Sequence, residues 1–317
     1  MKTILITGGS GYLGRALAKR FSGNYRVIIV SRNQKALLRA GEECKVETAP
    51  LDVTDFQACL ELMKRFQPEI VIHAAATKFV DISEKYPNEC IDVNINGSKN
   101  IATAAAMTGV EHAIGISTDK AAAPIANLYG LSKAVMEKTF ITLNKYHETD
   151  FSLVRYGNVV WSTGSVFPIW KRMLEENEKI ITTGPELSRF FFKVTDAVEL
   201  INSAMENQAL TAGNILSIPM KGVQMKRILE VWTSEVGKSW EVGKFRQGDR
   251  QEEFLIAENE LSLTRNVVIQ GKNHYLIAGN STSVYSELRE PVSSSRSDQL
   301  SDDEIFSLIF NSAPEVL

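Results

Sequence analysis

TILITGGSGYLG, residues 3–14, is the stretch that decides the fold of this 317-residue chain. An apolar run is followed at once by Gly8, Gly11 and Gly14 in GxxGxxG spacing. Glycines at these positions permit a tight turn, close approach of the backbone to a pyrophosphate and close packing of helix on strand. Free N–H groups at the helix start then hold the anion. The stretch predicts a dinucleotide site; a glycine-rich turn without a nucleotide is the alternative.

Short apolar runs alternate with helical patterns through the first half of the chain. The predicted strands cover Thr3–Thr7, Tyr25–Val30, Lys45–Ala49, Ile70–His73, His112–Ser117 and Phe151–Arg155. The predicted helices lie near residues 11–22, 33–41, 54–67, 84–109 and 127–147. This alternation indicates βαβ units and a parallel sheet with helices on both faces. We therefore predict an α/β fold, a doubly wound Rossmann sheet that binds ligands at the carboxyl ends of its strands.

The second half is less regular and predicts a smaller, mixed α/β substrate-binding domain. Its predicted elements are a helix near 165–176, a strand at Asn214–Pro219 and a C-terminal helix that begins at the capping box of Ser301 and Glu304. The Ser-rich stretch 292–297 has the composition of a linker. The dinucleotide-binding domain is predicted to cover residues 1–160 with about 190–220, and the substrate-binding domain about 161–189 and 221–317.

Composition excludes several classes of function. The net charge of −3 and the lack of a long basic cluster give no reason to expect nucleic acid. Three distant cysteines and four scattered histidines predict reduced thiols and no metal site. No apolar stretch approaches the ~20 residues of a membrane span, and no signal peptide precedes the first strand. We expect a cytoplasmic protein without a membrane partner.

The residues after the second and third strands bear on the choice of dinucleotide. Ser31 and Arg32 stand where an NAD enzyme usually has an acidic residue for the ribose hydroxyls. A hydroxyl and a guanidinium suit a 2′-phosphate instead, which favours NADP; a solvated loop charge is the alternative for Arg32. Asp52 is predicted to contact the adenine, or to cap the following helix.

A second motif follows the fifth strand: Ser117-Thr118-Asp119-Lys120, and then Tyr129 and Lys133. Tyr129 and Lys133 are four residues apart on a predicted helix and so share one face. A nearby ammonium lowers the pKa of a phenol, which makes tyrosine a usable acid or base toward a substrate hydroxyl. A tyrosine–lysine pair after a Ser-Thr strand end in a dinucleotide fold indicates an oxidoreductase-type site.

From about residue 3 to about residue 310 the chain resembles the extended short-chain dehydrogenases/reductases, and among them the CapD-type polysaccharide biosynthesis proteins. That group includes inverting UDP-N-acetylglucosamine 4,6-dehydratases (5-epimerising). The segments that carry the resemblance are TGGSGYLG, SRN, LDVTD, HAAATK, NINGSKN, STDKA, NLYGLSK, RYGNVV, SRF and FRQGDRQEE. The Asp-Lys after Thr118 is the most discriminating feature, because dehydratases that retain C5 usually have an acidic pair there.

The resemblance implies roles for residues in these segments. The implied cofactor-binding residues are Gly8, Gly11, Tyr12, Leu13, Gly14, Ser31, Arg32, Asp52, Val53, Ala74, Ala75, Ala76, Asn94, Tyr129, Lys133 and Tyr156. The implied substrate-binding residues are Lys78, Asn158, Arg189 and Arg246. A surface lysine is the alternative for Lys78, and a structural salt bridge is the alternative for either arginine.

The implied catalytic residues are Thr118, Asp119, Lys120, Tyr129 and Lys133. Hydride leaves C4 of the sugar for NADP while Tyr129 takes the hydroxyl proton and Thr118 polarises the oxygen. The resemblance implies that Asp119 and Lys120 act at C5 and C6, where a proton and a hydroxyl are lost before the hydride returns to C6. A solvated ion pair is the alternative for Asp119 and Lys120.

Three departures from the family pattern lie on the substrate side. Trp161-Ser162-Thr163-Gly164-Ser165 stands where the family has Gly-Ser-Arg-Gly-Ser, one extra residue separates Lys120 from Tyr129, and Gln247 replaces a common proline. We expect Trp161 and Thr163 to alter the pocket wall beside the sugar.

The predicted function is an NADP-dependent 4,6-dehydratase of a UDP-N-acetylhexosamine. A nucleotide-sugar 4-epimerase or reductase is the alternative among enzymes, and a non-catalytic NADP-binding scaffold or sensor is the alternative of another class. The resemblance also implies a homo-oligomer, a dimer or hexamer formed through helices near 84–109 and 127–147.

Overall fold

The computed structural model describes residues 1–177, 179–243, 248–279 and 288–313. Arg246 and Gln247, both singled out by the sequence, lie outside the described residues.

The centre of the fold is a nine-stranded sheet. Its strands are β1 (Thr3–Thr7), β2 (Arg26–Ser31), β3 (Glu47–Pro50), β4 (Ile70–His73), β5 (His112–Ile116), β6 (Asp150–Val154), β10 (Asn214–Ser217), β14 (Thr264–Ile269) and β15 (Lys272–Ala278). They are ordered β14-β15-β10-β6-β5-β4-β1-β2-β3, and all neighbours are parallel except the pairs that involve β15. The strand order reverses at β1, so the crevice for a ligand lies between β1 and β4.

Helices cover both faces of this sheet. In the first half they are α1 (Tyr12–Phe21), α2 (Gln34–Cys44), α3 (Phe56–Phe66), α4 (Val80–Lys85), α5 (Pro87–Cys90), α6 (Ser98–Thr108) and α7 (Leu128–Leu143). In the second half they are α8 (Val166–Asn177), α9 (Val194–Glu206), α10 (Gln208–Thr211), α11 (Met225–Glu235) and α12 (Asp302–Phe310). Because both faces are covered, every residue of β1 is buried and the strand shows no polar alternation. The predicted α/β Rossmann class is confirmed.

The single helix predicted near 84–109 is wrong. The chain forms α4, α5, a π-helical turn at Ile91–Gly97 and then α6. Pro87 ends α4, because the residue before a proline avoids helical geometry; Tyr86 has φ −126° and ψ 69°. The wider turn that follows buries Asn94 and places Gly97 against the side chain of Val53, in the loop after β3.

Small sheets carry the remaining strands. They are β7 (Asn158–Val159) with β9 (Ser188–Phe192) and β11 (Gly222–Gln224), β8 (Lys179–Thr182) with β12 (Ser239–Val242), and β13 (Phe254–Ile256) with β16 (Val292–Ser293). A second hydrophobic core built on Trp161, Phe167, Trp170 and Trp232 joins α8, α11 and α12. The predicted C-terminal capping box is present at Ser301 and Glu304.

Two stretches of the second half differ from the sequence prediction. Residues 264–278, predicted in the substrate-binding domain, extend the large sheet, where antiparallel β15 covers the edge of β10. The linker-like Ser-rich stretch is packed instead: Ser293 and Ser294 are fully buried, and β16 pairs with β13. Across the described ranges, no helix has the length and apolar character needed to cross a membrane.

Candidate active site

The turn between β1 and α1 forms a cradle of backbone groups. Gly8 has φ 68°, and a Cβ there would lie 2.9 Å from the backbone of Ala74. A Cβ on Gly14 would lie 2.4 Å from the carbonyl oxygen of Gly8. Gly11 is the N-cap of α1 and has no side chain to accept a hydrogen bond from the first N–H groups of the helix. These N–H groups are therefore not used by the capping residue. The cradle therefore fits a pyrophosphate at the helix N-terminus.

Alanine at either cradle glycine should weaken cofactor binding. Gly8→Ala places an L-residue at positive φ and Gly14→Ala drives a methyl group into a carbonyl, so we expect affinity for a nicotinamide dinucleotide to fall about 10-fold or more. Gly23→Ala is the matched control, because a Cβ at Gly23 meets no atom within 4 Å. Fluorescence titration with NADPH measures the effect. Equal affinity in the Gly8, Gly14 and Gly23 variants would contradict this placement of the pyrophosphate.

A cavity of about 520 Å³ extends from the cradle to the carboxyl ends of β4 and β5. Eleven of the residues predicted to bind the cofactor line it: Gly8, Gly11, Tyr12, Leu13, Gly14, Ala74, Ala75, Ala76, Tyr129, Lys133 and Tyr156. The predicted catalytic groups Thr118 and Lys120 line the same cavity. Its volume and lining fit a dinucleotide with its reactive end beside Tyr129.

The other predicted cofactor residues lie outside the lining of this cavity. Ser31 Oγ donates to the carbonyl of Asn33 at 3.5 Å, and Arg32 forms an exposed ion pair with Glu89 at 3.0 Å. Asp52 Oδ1 accepts hydrogen bonds from the backbone N and the hydroxyl of Thr54, at 3.0 and 2.8 Å. The Asp52 bonds form a local turn before α3, whereas the cap of that helix is Asp55, whose side chain accepts from the backbone N of Ala58 at 3.0 Å.

Asn94 and Val53 contact neighbouring segments of the chain. The Asn94 amide accepts from the Thr77 backbone N at 2.8 Å and donates to the Thr77 carbonyl at 2.9 Å. It also donates to Ser132 Oγ at 2.9 Å, which ties the loop after β4 to α7. Val53 is buried, and its side chain faces Gly97 in the π-helical turn.

Tyr129 and Lys133 face the cavity from the first two turns of α7. Lys133 is 3% exposed, and its Nζ donates to the Met136 sulfur at 3.3 Å. Among the described residues no carboxylate lies within ion-pair distance of Lys133, and burial lowers the pKa of its ammonium to about 8. A buried amine whose hydrogen-bond partner is a weak sulfur acceptor fits a site for the hydroxyls of a ribose.

The predicted direction of the pKa shift of Tyr129 is wrong in this structure. Burial raises the pKa of the phenol to about 12, and the nearby ammonium of Lys120 offsets only part of that effect. Desolvation penalises a phenolate more than one positive charge stabilises it here. Tyr129 therefore rests as a neutral phenol.

Helix α7 is anchored behind the site by a buried charge network. Arg155, 1% exposed, donates to Glu137 through Nε at 3.0 Å and through a terminal nitrogen at 2.7 Å. Its guanidinium also pairs with Glu260 at 2.8 Å, and Ser117 Oγ donates to Glu137. The network fixes the rotation of α7, and with it the direction in which Tyr129 and Lys133 point.

A smaller cavity of about 220 Å³ opens beside the first. Six residues line both cavities: Lys78, Phe79, Lys120, Asn158, Ser162 and Ser165. Arg189 lines the smaller cavity only. Three of the four predicted substrate residues thus lie around this space, and the fourth, Arg246, lies outside the described residues.

The predicted pair Asp119 and Lys120 lies at the junction, but the two side chains differ in access. Lys120 Nζ donates to Asp119 Oδ1 at 3.0 Å and lines both cavities. Asp119 is fully buried behind it, outside the lining of either cavity, and Thr118 Oγ1 donates to its Oδ1 at 3.0 Å. Burial raises the pKa of the Asp119 carboxyl, and its Oδ2 has no hydrogen-bond partner among the described residues. The pair is therefore not a solvated ion pair.

Acidic and basic side chains that were not predicted from the sequence surround this pair. Glu253, 1% exposed, lies between Arg250, Arg189 and Lys120, with its Oε2 2.9 Å from Arg250 Nε. Arg189 also donates to the carbonyls of Ser188 and Arg250 at 2.8 Å, so its guanidinium is held by the protein while facing the smaller cavity. Both Arg250 and Glu253 belong to the FRQGDRQEE segment, one of those that carry the family resemblance. That resemblance was the sequence signal from which the two residues could have been predicted.

Trp161 does not line the pocket wall, contrary to expectation. Its indole is buried in the second core, and its Nε1 donates to the carbonyl of Leu308 at 3.0 Å. Its backbone has φ 61°, a region that favours glycine, the usual family residue at this position. Thr163 lines the larger cavity, and Gly164 contacts the ring of Phe79. The departure from the family pattern at Trp161 therefore changes the second hydrophobic core and the loop that follows more than it changes the wall of the cavities.

The chain is similar to known proteins over most of its length. A family model described as "Polysaccharide biosynthesis protein" matches residues 4–270. The chain is 33% identical to the inverting UDP-N-acetylglucosamine 4,6-dehydratase of Campylobacter jejuni, over 87% of this chain and 83% of that one. It is 38% identical to the UDP-glucose 4-epimerase of Rickettsia bellii, over 65% and 63% of the two chains. It is 33% identical to the probable polysaccharide biosynthesis protein EpsC of Bacillus subtilis, over 82% of this chain but only 46% of EpsC.

Two solved structures show the same fold. The structure of Pen from Bacillus thuringiensis superposes with a TM-score of 0.90 at 25% identity, covering 98% of this chain and 97% of Pen. The UDP-glucose 4-epimerase of Thermus thermophilus in complex with NAD superposes with a TM-score of 0.69 at 22% identity, covering 78% and 88%. Within the described ranges, no cluster of three or more His, Cys, Asp or Glu residues could hold a metal ion.

Proposed function

The chain belongs to the polysaccharide biosynthesis protein family and has the extended Rossmann fold of the short-chain dehydrogenases/reductases, and on this basis we propose that it is a nucleotide-sugar 4,6-dehydratase. The proposed substrate is a UDP-N-acetylhexosamine, UDP-N-acetylglucosamine first, and the proposed cofactor is NADP. The reaction removes water across C5 and C6 and inverts C5. Inverting dehydratases appear by name among the relatives, which supports this choice.

The observation that carries the proposal is the position of Lys120. Its ammonium lies where the two cavities meet, in contact with Asp119 at 3.0 Å. Oxidation at C4 needs only the groups around Tyr129. A buried acid–base pair at the sugar position serves a further step, and elimination next to a ketone is a step that needs a proton acceptor and a proton donor.

Bound NADP supplies a reversible hydride acceptor beside the sugar. Because Tyr129 rests as a neutral phenol, it takes the C4 hydroxyl proton as its own phenolic proton passes on to Lys133. Lys133 follows one turn later on α7, and burial lowers the pKa of its ammonium to about 8, so its amine can accept that proton. Thr118 donates its hydroxyl proton to the C4 oxygen in place of Asp119. The resulting ketone acidifies the hydrogen at C5.

Lys120 acts on C5 and C6, because it lines the cavities and Asp119 does not. The Lys120 ammonium gives a proton to the C6 hydroxyl, which leaves as water, and the amine that remains takes the C5 proton as the C5–H electron pair forms the C5–C6 double bond. The bound cofactor would supply the hydride that C6 needs, and a proton would return to C5 from the opposite face. Asp119 holds and shares the proton of Lys120. Over the whole reaction the sugar nucleotide loses one water and undergoes no net oxidation.

The nucleotide is proposed to occupy the smaller cavity. Lys78 and Asn158 border the sugar, Arg189 faces the diphosphate, and Arg246 keeps its predicted substrate role. Guanidinium groups bind phosphate oxygens through paired hydrogen bonds.

The proposed homo-oligomer uses the helices near 84–109 and 127–147.

NADP preference is predicted to depend on Arg32. Its side chain is 60% exposed, so water screens its ion pair with Glu89 and the guanidinium can exchange that partner for a 2′-phosphate. Arg32→Ala should reduce the preference for NADP over NAD by about 1–3 kcal/mol, the value of a hydrogen bond to a charged group. Titration of both cofactors measures it, with Arg39→Ala on α2 as the control. Equal NAD and NADP affinities in the wild type would remove the basis for the prediction.

A 4-epimerase is the second candidate, because the Rickettsia bellii relative of that name is 38% identical. Incubation with UDP-N-acetylglucosamine separates the two functions. A dehydratase yields a product lighter by one water in mass spectrometry, whereas an epimerase yields UDP-N-acetylgalactosamine of unchanged mass.

A further inference from the structure

Lys120 contacts a carboxylate from a distant part of the chain. Its Nζ lies 3.0 Å from Asp119 Oδ1 and 3.5 Å from Asn158 Oδ1, and Glu253 Oε1 lies 3.6 Å away. An ammonium has three N–H donors, and three oxygens surround this one. The side chain of Lys120 is 13% exposed and that of Glu253 is 2% exposed, so water screens their attraction little.

Glu253 is itself held in place from several sides. Arg250 Nε donates to its Oε2 at 2.9 Å, and its backbone N donates to Ser294 Oγ at 3.1 Å. Arg250 also donates to the carbonyl of Ala122 at 3.0 Å, directly after the turn that carries Lys120. The segment 250–253 therefore clamps the segment 119–122 and fixes the distance between Glu253 and Lys120.

We propose that Glu253 is a positioning residue that holds the Lys120 side chain, as an ammonium, at the junction of the two cavities. Asp119 is adjacent in sequence and binds the ammonium from behind. Glu253 reaches it from the second half of the chain, so the two carboxylates fix the direction of the side chain together. The proposal rests on the proposed function only for the kinetic consequence, since the charge on Lys120 can be measured without turnover.

Four charged or titratable groups face Lys120. Burial lowers the pKa of the Lys120 ammonium and the charge of Arg189 does the same, but Asp119 and Glu253 raise it further, so the pKa lies above its usual value. Tyr129 is the fourth group and is neutral at its raised pKa. Without the charge of Glu253, Asp119 is the one carboxylate that raises the pKa of Lys120, while burial and Arg189 still lower it. The pKa of Lys120 should then fall, so that the amine loses its proton at lower pH.

Competitive acetylation of the purified protein tests the charge directly. Acetic anhydride reacts with the neutral amine, and peptide mass spectrometry gives the labelled fraction of Lys120 at each pH. In Glu253→Gln we expect the midpoint to fall by about one pH unit or more, the effect of losing a close opposite charge. Glu252→Gln on the same segment is the control, and Glu253→Asp, which keeps the charge, should stay near the wild type. An unchanged midpoint in Glu253→Gln, or an equal fall in Glu253→Asp, would overturn the proposal.

The kinetic test separates positioning from a purely structural role. In Glu253→Gln we expect kcat for water loss to fall about 10²-fold, as for a misplaced catalytic group, with little change in KM or in the unfolding temperature. Transient NADP reduction at 340 nm, which follows the C4 step, should keep its rate. Equal loss of both steps, or a rise in KM alone, would contradict the proposal. If the wild type releases no water from the sugar nucleotide, the proposed function fails, while the acetylation result still decides the role of Glu253.

Discussion

Replacing Tyr129 by Phe is expected to lower turnover by about 10²–10⁴-fold, the usual contribution of a general acid–base group. The change keeps the ring that lines the cavity and removes only the hydroxyl that exchanges a proton with the sugar. Affinity for NADP should therefore change little. Steady-state turnover of UDP-N-acetylglucosamine, with NADPH titration in parallel, measures both quantities.

Tyr146→Phe is the control for this prediction. Tyr146 is 75% exposed, just after the same helix, and its hydroxyl is far from any assigned role. The rate of transient NADP reduction should fall with turnover in Tyr129→Phe, because the C4 step itself loses its base. Near-full activity of Tyr129→Phe would show that the assigned mechanism is wrong.

The second large effect is expected at Lys120 and Asp119. Lys120→Ala removes the group proposed to act at C5 and C6, so water loss should fall by at least about 10²–10⁴-fold while NADP binding persists. Asp119→Asn keeps the shape of the side chain and removes its charge, and should also abolish water loss. Mass spectrometry of the product and NADPH titration measure the two outcomes.

Stability must be followed in the same variants, because Lys120→Ala leaves the buried carboxylates of Asp119 and Glu253 without their shared cation. Breaking a buried pair costs about 3–5 kcal/mol. Asp119→Asn is the milder change, since Glu253 still pairs with Lys120. Lys221→Ala, which removes an exposed lysine paired with Glu304, controls for loss of a positive charge. Water loss at the wild-type rate in a folded Lys120→Ala would refute the role of Lys120.

Local patterns predicted most of the fold. The buried run of β1, the glycines after it and the alternation of strands with helices are short-range signals, and they placed the large sheet correctly. The break at Pro87 was visible in the sequence, but the periodicity across 84–109 hid it. The pairing of β15 with β10 could not be predicted, because it depends on which edge of the sheet remained open.

The residues of the candidate site also fall into a group that local sequence predicted and a group that it did not. Thr118, Lys120, Tyr129 and Lys133 are close in sequence, and their spacing placed them in one cavity wall. Glu253 and the core position of Trp161 depend on contacts more than a hundred residues apart along the chain, which no local pattern shows. The left-handed backbone at Trp161 turns the indole into the core; a comparison of residue types alone cannot show this.

The central claim is elimination, and the measurement that tests it most directly is turnover of UDP-N-acetylglucosamine by the wild type in deuterated water. The account predicts a product that has lost one water and carries deuterium at C5, because the proton that returns to C5 comes from an exchangeable group. Mass spectrometry shows the loss, and proton NMR locates the label. A product of unchanged mass with hydrogen retained at C5, identified as UDP-N-acetylgalactosamine, would contradict the account and assign the protein as a 4-epimerase.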